Sequence, residues 1–281
     1  MLPPFRNVNQ LAARGERVNE LSDHGSVKVA AYQAPLLAAG SMGALDLIQA
    51  RVRACEVAGV EILCCPEAIL GGLADHIEDP IRLAISVRSG QLAAVLAPLA
   101  SDVTTTIVGF TELGEVGFLY NAAVVFHRGT VAGVYRKQHP AIRQSVYRAG
   151  RHVPVFRVGA LTFGIAICND SNFHEIATQM ASRGATALFV PSNNALPPRK
   201  GGAELVTEAR KVDVATAIAN EMWVIRADVA GQADALTSHG SSAIVDPKGT
   251  VIASALALSE EMIAADVSPK REVILSRRCG P

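Results

Sequence analysis

The chain is organised as short, mostly apolar runs that alternate with segments of helical spacing. The runs at 60–65 and 161–167 have the length of a strand and the composition of strands buried on both faces. Between residues 41 and 58, apolar side chains recur at intervals of three and four, which predicts an amphipathic helix that ends at Gly59. This alternation favours an α/β fold in which helices cover mixed β-sheets.

The same reasoning extends along the chain and predicts one domain, since there is no internal repeat and no Pro- or Gly-rich linker in the middle. Further helices are predicted at 80–99, 173–183 and 203–219. Further strands are predicted at 27–34, 104–110, 119–126, 131–136, 187–190, 223–227, 242–245, 251–254 and 262–267. Residues 1–26 are expected to form a poorly ordered N-terminal extension, in which Gly25-Ser26 resembles a cloning scar.

Composition excludes several classes of protein. Of the 281 residues, 49% are hydrophobic and 19% are charged, which excludes bulk disorder. The 26 basic residues balance the 26 acidic ones, so no nucleic-acid partner is expected. No apolar run reaches the ~18 residues of a membrane span, and no membrane partner is expected. Five cysteines are an odd number in a long chain, which argues against a disulfide framework and, without a signal-like start, predicts a cytoplasmic protein.

Cys168 is the strongest local candidate for chemistry. A predicted buried strand stops at this residue, and a predicted helix starts a few residues later. Because a helix N-terminus stabilises negative charge, a thiol held there tends toward the nucleophilic thiolate. The competing interpretation is a small buried hydrophobe, which is the likelier one for the other four cysteines, Cys55, Cys64, Cys65 and Cys279.

Two charged residues also close predicted strands. Glu67 follows a strand and Pro66, and a carboxylate at such a position is costly to bury unless it is used or paired. Lys137 follows the strand at 131–136, where its ammonium would stabilise negative charge near a thiolate. Taken singly, each residue also fits a solvated loop or a basic surface edge.

Together, the residues at strand ends 67, 137 and 168 resemble the Glu-Lys-Cys triad of the nitrilase superfamily of carbon–nitrogen hydrolases. The resemblance covers roughly residues 27 to 267, which we interpret as the hydrolase domain. The resemblance rests on short segments that match the family in order along the chain: Cys65-Pro66-Glu67, Tyr120-Asn121, Gly133-Val134-Tyr135-Arg136-Lys137, Gly164-Ile165-Ala166-Ile167-Cys168-Asn169-Asp170, Val190-Pro191-Ser192 and Gly240-Ser241-Ser242.

The resemblance implies a fold, a reaction and an assembly. The fold is a four-layer αββα sandwich of two mixed β-sheets flanked by helices. Cys168 attacks a small amide and forms a thioester, Glu67 is the general base, and Lys137 with the Cys168-Asn169 backbone stabilises the oxyanion, without a metal or organic cofactor. A homodimer or larger homo-oligomer is implied, in which the tail at 268–281 contacts the partner through Ile274 and Leu275.

The sequence departs from the family between the lysine and the cysteine. Many members carry a second glutamate there, but residues 138–160 contain no Glu or Asp, so Gln144, Ser145 or a water is expected to stand in. The loop at 143–147 is predicted to form a pocket wall. From the family layout, the predicted substrate-binding or oxyanion residues are Tyr120, Arg143, Gln144, Asn169, Asn193 and Asn194.

Several activities remain open at this stage. An amidase is the leading hypothesis, and an N-carbamoyl hydrolase or a nitrilase would use the same triad. Ser171-Asn172 stands where carbamoyl amino-acid hydrolases place basic residues to hold a carboxylate, which disfavours that subclass. Asn169 beside the cysteine disfavours a true nitrilase. An acyl transferase or a non-catalytic binding protein on the same fold belongs to a different class.

Overall fold

The computed structural model describes residues 6–7, 25–198 and 202–269. The α-helices within them are α1 (Ala44–Ala58), α2 (Gln91–Leu96), α3 (His174–Ser182) and α4 (Ala203–Asn220). The strands are β1 (Arg6–Asn7), β2 (Val27–Pro35), β3 (Ile62–Cys64), β4 (Thr105–Leu113), β5 (Leu119–His127), β6 (Thr130–Arg136), β7 (Val155–Val158), β8 (Leu161–Ile165), β9 (Ala187–Pro191), β10 (Trp223–Ala227), β11 (Val229–Ala233), β12 (Leu236–Ser238), β13 (Ala243–Val245), β14 (Val251–Ser254) and β15 (Glu261–Val267). Short 3-10 helices cover Ala74–His76, Pro80–Leu83, Ala97–Leu99, Glu115–Gly117 and Cys168–Asn172.

The strands form two mixed sheets. The larger sheet runs in the order β1-β15-β2-β3-β4-β5-β6, with β11 beside β2 and β12 beside β11. The smaller sheet runs β14-β13-β10-β9-β8-β7. Each sheet has a parallel centre, β2-β3-β4 in one and β8-β9-β10 in the other, and antiparallel hairpins toward its edges. The chain passes from the smaller sheet to the larger between β10 and β11, at Asp228.

The core is divided by the larger sheet into two layers, as the alternation of side chains along a strand requires. In β2, Val29 and Ala31 belong to the apolar cluster that also contains Phe163 and Ile165 of the smaller sheet and the α3 residue Met180. The intervening β2 residues, Ala30 and Tyr32, belong to a second cluster with residues of α1 and α2. The predicted αββα sandwich is therefore confirmed: helices lie outside two sheets that pack face to face.

The prediction of one helix at 80–99 is wrong. The segment forms a 3-10 turn at Pro80–Leu83 and then the short helix α2, and Ile85 between them forms a β-bridge with Glu112 of β4. Gly90 at φ 78° begins α2 and breaks any continuous helix there. The strands β7, β11 and β12 were not predicted, because all three are short and only partly apolar.

The ends of the chain are described only in part. Arg6–Asn7, which falls in the predicted extension, pairs in parallel with Ile263 and Ala264 of β15. Residues 8–24 and the tail anchors Ile274 and Leu275 lie outside the described residues. At the start of the tail, the Trp223 indole donates to the Ser268 carbonyl over 3.1 Å. Within the described part of the chain, no helix is long and apolar enough to cross a membrane.

Candidate active site

The three predicted catalytic residues lie where strands of the two sheets end. Glu67 follows β3 and Lys137 follows β6 of the larger sheet, and Cys168 follows β8 of the smaller one. The carboxyl ends of strands in α/β proteins are the usual place for a site. All three side chains line one cavity of about 110 Å³, which is large enough for a small molecule of a few heavy atoms.

The Glu67 carboxylate is buried and held by three donors. Lys137 Nζ donates to Oε1 over 2.5 Å, and Asn121 Nδ2 donates to the same oxygen over 2.7 Å. The backbone N–H of Asn193 donates to Oε2 over 3.0 Å. Since a carboxylate oxygen has room for two hydrogen bonds, Oε2 keeps capacity for one further donor.

The turn that presents Glu67 lies directly on the neighbouring strand β4. An added Cβ at Gly109 would lie 2.4 Å from both the Pro66 carbonyl oxygen and the Ala68 nitrogen, so only glycine lets the turn approach this closely. The Glu67 N–H also donates to the Ser192 carbonyl over 3.2 Å, which joins the larger sheet to the end of β9 in the smaller one. The position of Glu67 therefore depends on both sheets.

Cys168 occupies a strained turn that its neighbours hold in place. Its φ is 47°, in the left-handed region that non-glycine residues rarely adopt. Ser171 Oγ donates to the Cys168 carbonyl over 2.8 Å, and the Asp170 N–H donates to the Ile167 carbonyl over 3.0 Å. Such a conformation persists where the surrounding structure over-determines it, and it aims the sulfur into the cavity.

Asp170 anchors this turn to the segment that carries Lys137. Its carboxylate is fully buried and accepts from the Tyr135 hydroxyl over 2.7 Å and from the His139 N–H over 2.7 Å. Gln138 N–H donates to it over 3.1 Å. Burial raises the pKa of Asp170, and these donors work in the opposite direction by stabilising its charge. The Cys168 turn and the Lys137 strand end are thus fixed to each other through one carboxyl group.

The surroundings of Cys168 do not favour the thiolate toward which a thiol at a helix N-terminus tends. Burial, followed by the negative charge of Glu67, raises the pKa of the Cys168 thiol to about 12, against the opposing effects of Lys137 and Arg226. The helix that begins at Cys168 is a 3-10 helix of only five residues, so it offers little of the dipole that the prediction assumed. This raised pKa favours the protonated thiol, so a nucleophilic role would require a neighbouring base.

Lys137 is charged throughout the ordinary pH range. Burial lowers the pKa of its ammonium, but the charges of Glu67 and Cys168 and the hydrogen bond to Glu67 outweigh burial and raise it above the usual value. A permanent cation beside the cavity can stabilise an oxyanion without exchanging its own proton.

The thiol contacts a side chain that the sequence analysis selected. Cys168 Sγ donates to Asn194 Oδ1 over 3.6 Å. Asn194 is itself oriented by the fully buried Asp228, which accepts from Asn194 Nδ2 over 2.9 Å and from the Ser241 hydroxyl over 2.6 Å. Asn193, also predicted, lines the cavity and holds Glu67 through its backbone.

Three other predicted residues lie elsewhere. The guanidinium of Arg136 stacks over the Tyr120 ring at 4.1 Å, in a groove that does not open on Cys168. Arg143 and Gln144 are exposed and do not line the catalytic cavity, although the same loop supplies Tyr147 to its wall. The structure therefore does not bring these three side chains to the cavity that Cys168 lines, and their role in substrate binding stays a prediction.

Asn169 is at the site but turned toward the neighbouring loop. Its side-chain amide donates to the His139 carbonyl over 3.1 Å, so only its backbone remains for the predicted oxyanion contact. The His139 ring stacks on Phe173 with ring centroids 3.5 Å apart, which fixes this loop against the start of α3.

Two residues at the cavity were missed by sequence reasoning. Asn121 binds Glu67, yet its neighbour Tyr120 was chosen as the site residue. Asp75 lines the cavity from the 3-10 turn Ala74–His76, and its carboxylate accepts from Ser145 Oγ over 3.0 Å and from the Val146 N–H over 2.8 Å. An acidic residue from a distant segment thus meets the loop in which the family's second glutamate is lacking.

Most of the remaining cavity wall is apolar. It is formed by Leu73, Pro140, Ala141, Ile142, Ala195 and Leu196. Among the described residues that line it, the side chains with a formal charge are Glu67, Asp75 and Lys137. Across the described part of the chain, no group of three or more His, Cys, Asp or Glu side chains is arranged to hold a metal ion.

This two-sheet fold, with a cavity that Glu67, Lys137 and Cys168 line, is that of an enzyme, and comparison with known proteins gives its family. Residues 28–273 match the family model of the carbon-nitrogen hydrolases. The chain belongs to the carbon–nitrogen hydrolase family, whose members act on carbon–nitrogen bonds other than peptide bonds.

Relatives with assigned activities are similar at 27 to 30% identity. A nitrilase of Pyrococcus abyssi is 27% identical over 74% of this chain and 77% of that protein. An N-carbamoylputrescine amidase of Arabidopsis thaliana is 28% identical over 67% of this chain and 68% of that protein. A deaminated glutathione amidase of Rattus norvegicus is 30% identical over 59% of this chain and 54% of that protein.

Solved structures share the fold. A carbon-nitrogen hydrolase from Helicobacter pylori G27 superimposes with a TM-score of 0.77 and 22% identity, over 87% of this chain and 90% of that one. An amidase from Nesterenkonia sp. gives a TM-score of 0.70 and 19% identity, over 88% of this chain and 93% of that one. These similarities agree with the two-sheet architecture described above.

Proposed function

We propose that this protein is an amidase-like thiol hydrolase that cleaves the carbon–nitrogen bond of a small amide through a thioester on Cys168. The observation that carries the proposal is the Glu67 carboxylate, which borders the same cavity as the Cys168 thiol and has one oxygen with room for a further donor. Because the Cys168 pKa is raised to about 12, a neighbouring base is what the thiol needs for attack at neutral pH.

Each step then moves one proton through Glu67. The Cys168 sulfur attacks the carbonyl carbon while Glu67 takes the thiol proton, and the ammonium of Lys137 with the Asn169 N–H stabilises the oxyanion. As the carbon–nitrogen bond breaks, Glu67 gives its proton to the leaving nitrogen, and the acyl group stays on sulfur. Water then attacks the thioester carbonyl and gives a proton to Glu67. Glu67 returns this proton to the departing Cys168 thiolate, which becomes the thiol again.

The cavity supports a small, mainly uncharged acyl group. Its volume of about 110 Å³ and its apolar wall fit a short aliphatic amide. Arg143, a basic side chain among the predicted substrate-binding residues, is exposed and does not line the cavity. A substrate that carries a carboxylate next to its amide would meet no bidentate partner there.

Asp75 favours one second candidate, an N-carbamoyl amine. Its carboxylate borders the cavity that also contains the Glu67–Lys137 pair and the His76 side chain, and it would attract a substrate with a cationic end. The similarity to an N-carbamoylputrescine amidase agrees with such a substrate. The chemistry at Cys168 would be the same, with carbon dioxide and ammonia released with the amine.

A substrate panel tests the proposal directly. Ammonia release is measured with short aliphatic amides, N-carbamoyl amines, N-carbamoyl amino acids and nitriles, using the wild type beside Cys168→Ala. We expect release from an uncharged amide or a carbamoyl amine by the wild type alone. A quenched reaction should add the acyl mass to the peptide that contains Cys168, as seen by mass spectrometry.

Two outcomes contradict the proposal. Turnover that survives in Cys168→Ala excludes this cysteine as the nucleophile. A folded wild type that transfers the acyl group to an added amine in preference to water would instead be an acyl transferase. Asp75→Asn separates the two substrate candidates, since it should weaken only the reaction of the cationic carbamoyl amine.

A further inference from the structure

Arg226 is a buried cation next to the site for which the reaction has no chemical use. It lies at the end of β10 with 2% of its surface exposed, and its partner Asp213 in α4 is 1% exposed. Arg226 Nε donates to Asp213 Oδ2 over 2.8 Å, and Nη2 donates to Oδ1 over 2.5 Å. A bidentate pair of this kind fixes the plane of the guanidinium as well as its position.

The guanidinium reaches the turn of the nucleophile on one side. Arg226 Nη2 donates to Ser171 Oγ over 3.1 Å, and Ser171 Oγ donates in turn to the Cys168 carbonyl over 2.8 Å. This chain of two hydrogen bonds ends on the residue with φ of 47°. It therefore contributes to holding Cys168 in its strained conformation.

On the other side the guanidinium reaches the segment that holds the base. Arg226 Nη1 donates to Ser192 Oγ over 2.6 Å. The carbonyl of Ser192 accepts the Glu67 N–H over 3.2 Å, and the next residue, Asn193, donates its N–H to Glu67 Oε2 over 3.0 Å. One rigid cation thus contacts the turn of Cys168 and the segment against which Glu67 is placed.

We infer that Arg226, fixed by Asp213, is a positioning residue that sets the distance and orientation between the Cys168 thiol and the Glu67 carboxylate. The inference rests on the proposed function, because it concerns the proton transfer between these two groups. A lysine could not replace Arg226, since one ammonium at the end of a flexible stem lacks the planar fork that engages Asp213, Ser171 and Ser192 together. The positive charge has a separate, smaller effect, which is to lower the pKa of the Cys168 thiol.

Alkylation of Cys168 by iodoacetamide tests this without a known substrate. The rate is followed on the Cys168 peptide by mass spectrometry from pH 6 to pH 10, so that the other thiols do not interfere. The proteins are the wild type, Glu67→Gln, Arg226→Lys, Arg226→Met and the double variant Glu67→Gln/Arg226→Lys. Arg51→Lys is the matched control, because Arg51 is equally buried and paired with Glu260, on helix α1 away from the site.

The expected results separate placement from charge. Near pH 7, Arg226→Lys should lose at least about tenfold in alkylation rate, and it should lose about 10²-fold in kcat/KM once a substrate is known. It should keep the thiolate fraction of the wild type at each pH up to 10, because the charge remains, whereas Arg226→Met, which removes the charge that lowers the thiol pKa, should react more slowly than Arg226→Lys over the same range. Glu67→Gln/Arg226→Lys should be no slower than Glu67→Gln, because both changes remove the same proton transfer. Arg51→Lys should resemble the wild type.

The contrary results are distinct. If Arg226→Lys is alkylated within twofold of the wild type while Glu67→Gln is slow, Arg226 does not position the pair and the proposed function stands. If Glu67→Gln reacts as fast as the wild type, Glu67 does not activate the thiol, and both proposals are overturned. If Arg226→Lys does not fold, Ser171→Ala decides: it keeps the ion pair, and an unchanged alkylation rate in it overturns the inference.

Discussion

Two buried ion pairs lie on either side of the Cys168 turn, and they differ in what they leave open. The Glu67–Lys137 and Arg226–Asp213 pairs both have closest distances of 2.5 Å, and all four side chains are at most 4% exposed. In the first pair, one carboxylate oxygen has capacity to spare and a cavity lies beside it. In the second pair, each oxygen of Asp213 and each of the three guanidinium nitrogens of Arg226 contacts a protein group, and neither residue lines the cavity that contains Cys168.

The difference shows how the same interaction serves two purposes. Burying a pair of charges is expensive and is by itself weak evidence of stability. A pair that keeps one unsatisfied position next to a cavity can exchange a proton with a bound molecule. A pair that does not border the cavity can only hold its neighbours, and this rigidity acts on the positions of the reacting atoms.

Removing the base should have the largest effect. Glu67→Gln keeps the shape of the side chain but cannot take the thiol proton, so kcat should fall by roughly 10³- to 10⁴-fold. Steady-state ammonia release measures the loss, with circular dichroism as the check on folding. A fall of less than tenfold would mean that the base is another group and that the two pairs do not differ as described.

Breaking the pair between Arg226 and Asp213 should reduce stability in addition to disturbing the position of the thiol. Asp213→Ala leaves the Arg226 charge buried without its partner, which should reduce the free energy of unfolding by about 3–5 kcal/mol. Urea denaturation measures the change. Glu67→Gln is the comparison and should cost less, since the cavity has room for water to solvate the freed Lys137 ammonium. Equal losses in the two variants would remove the distinction between the pairs.

The pH dependence of stability tests the raised pKa of Cys168, which lines the cavity beside the Glu67–Lys137 pair. The pKa of Cys168 is about 12 in the folded protein and 9.0 in its ordinary state. A raised pKa stabilises the fold at low pH, and this contribution is lost as the pH rises above 9.0 toward the folded value. Between pH 8 and pH 10, the wild type should therefore lose about 1 kcal/mol more unfolding free energy than Cys168→Ala. Parallel curves for the two proteins would contradict the raised pKa.

The smallest effect is expected outside both pairs. Arg143→Ala should leave kcat/KM within about twofold of the wild type, because the side chain is exposed and does not line the cavity. Initial rates at low substrate concentration measure it, with Asp75→Asn as a variant of a residue in the wall. A tenfold loss in Arg143→Ala would return this arginine to the substrate pocket.

The proximity of Glu67, Lys137 and Cys168 could be predicted from sequence because the segments around them resemble those of a family with a Glu-Lys-Cys triad, and because each residue closes a strand in a fold whose strand ends converge. Asn121 shows where such reasoning fails. Successive side chains of a strand point to opposite faces, so choosing Tyr120 in place of its neighbour selected the wrong face of β5. Only the register of β5 against β4 and β6 distinguishes the two residues.

The contacts made between distant segments could not be predicted. Asp75 meets Ser145 across 70 residues, and Arg226 meets Ser171 across 55. No local pattern marks either contact, because each side chain by itself looks like a solvated charge. The prediction of a helix at 80–99 was wrong for a related reason. Ile85 forms a β-bridge with Glu112 of the distant strand β4, and this tertiary contact overrides the local helical pattern.

The hydrogen bond between the Glu67 N–H and the Ser192 carbonyl joins the two sheets at the proposed site, so enzymatic activity should report on the docking of the sheets. Glu67 and Lys137 belong to the larger sheet, while Cys168 and Ser192 belong to the smaller one. During refolding, neither sheet alone contains a complete reaction centre, however well its own strands have paired. The time at which activity returns therefore measures when the two sheets dock against each other. Spectroscopic probes of secondary structure would not detect this docking step.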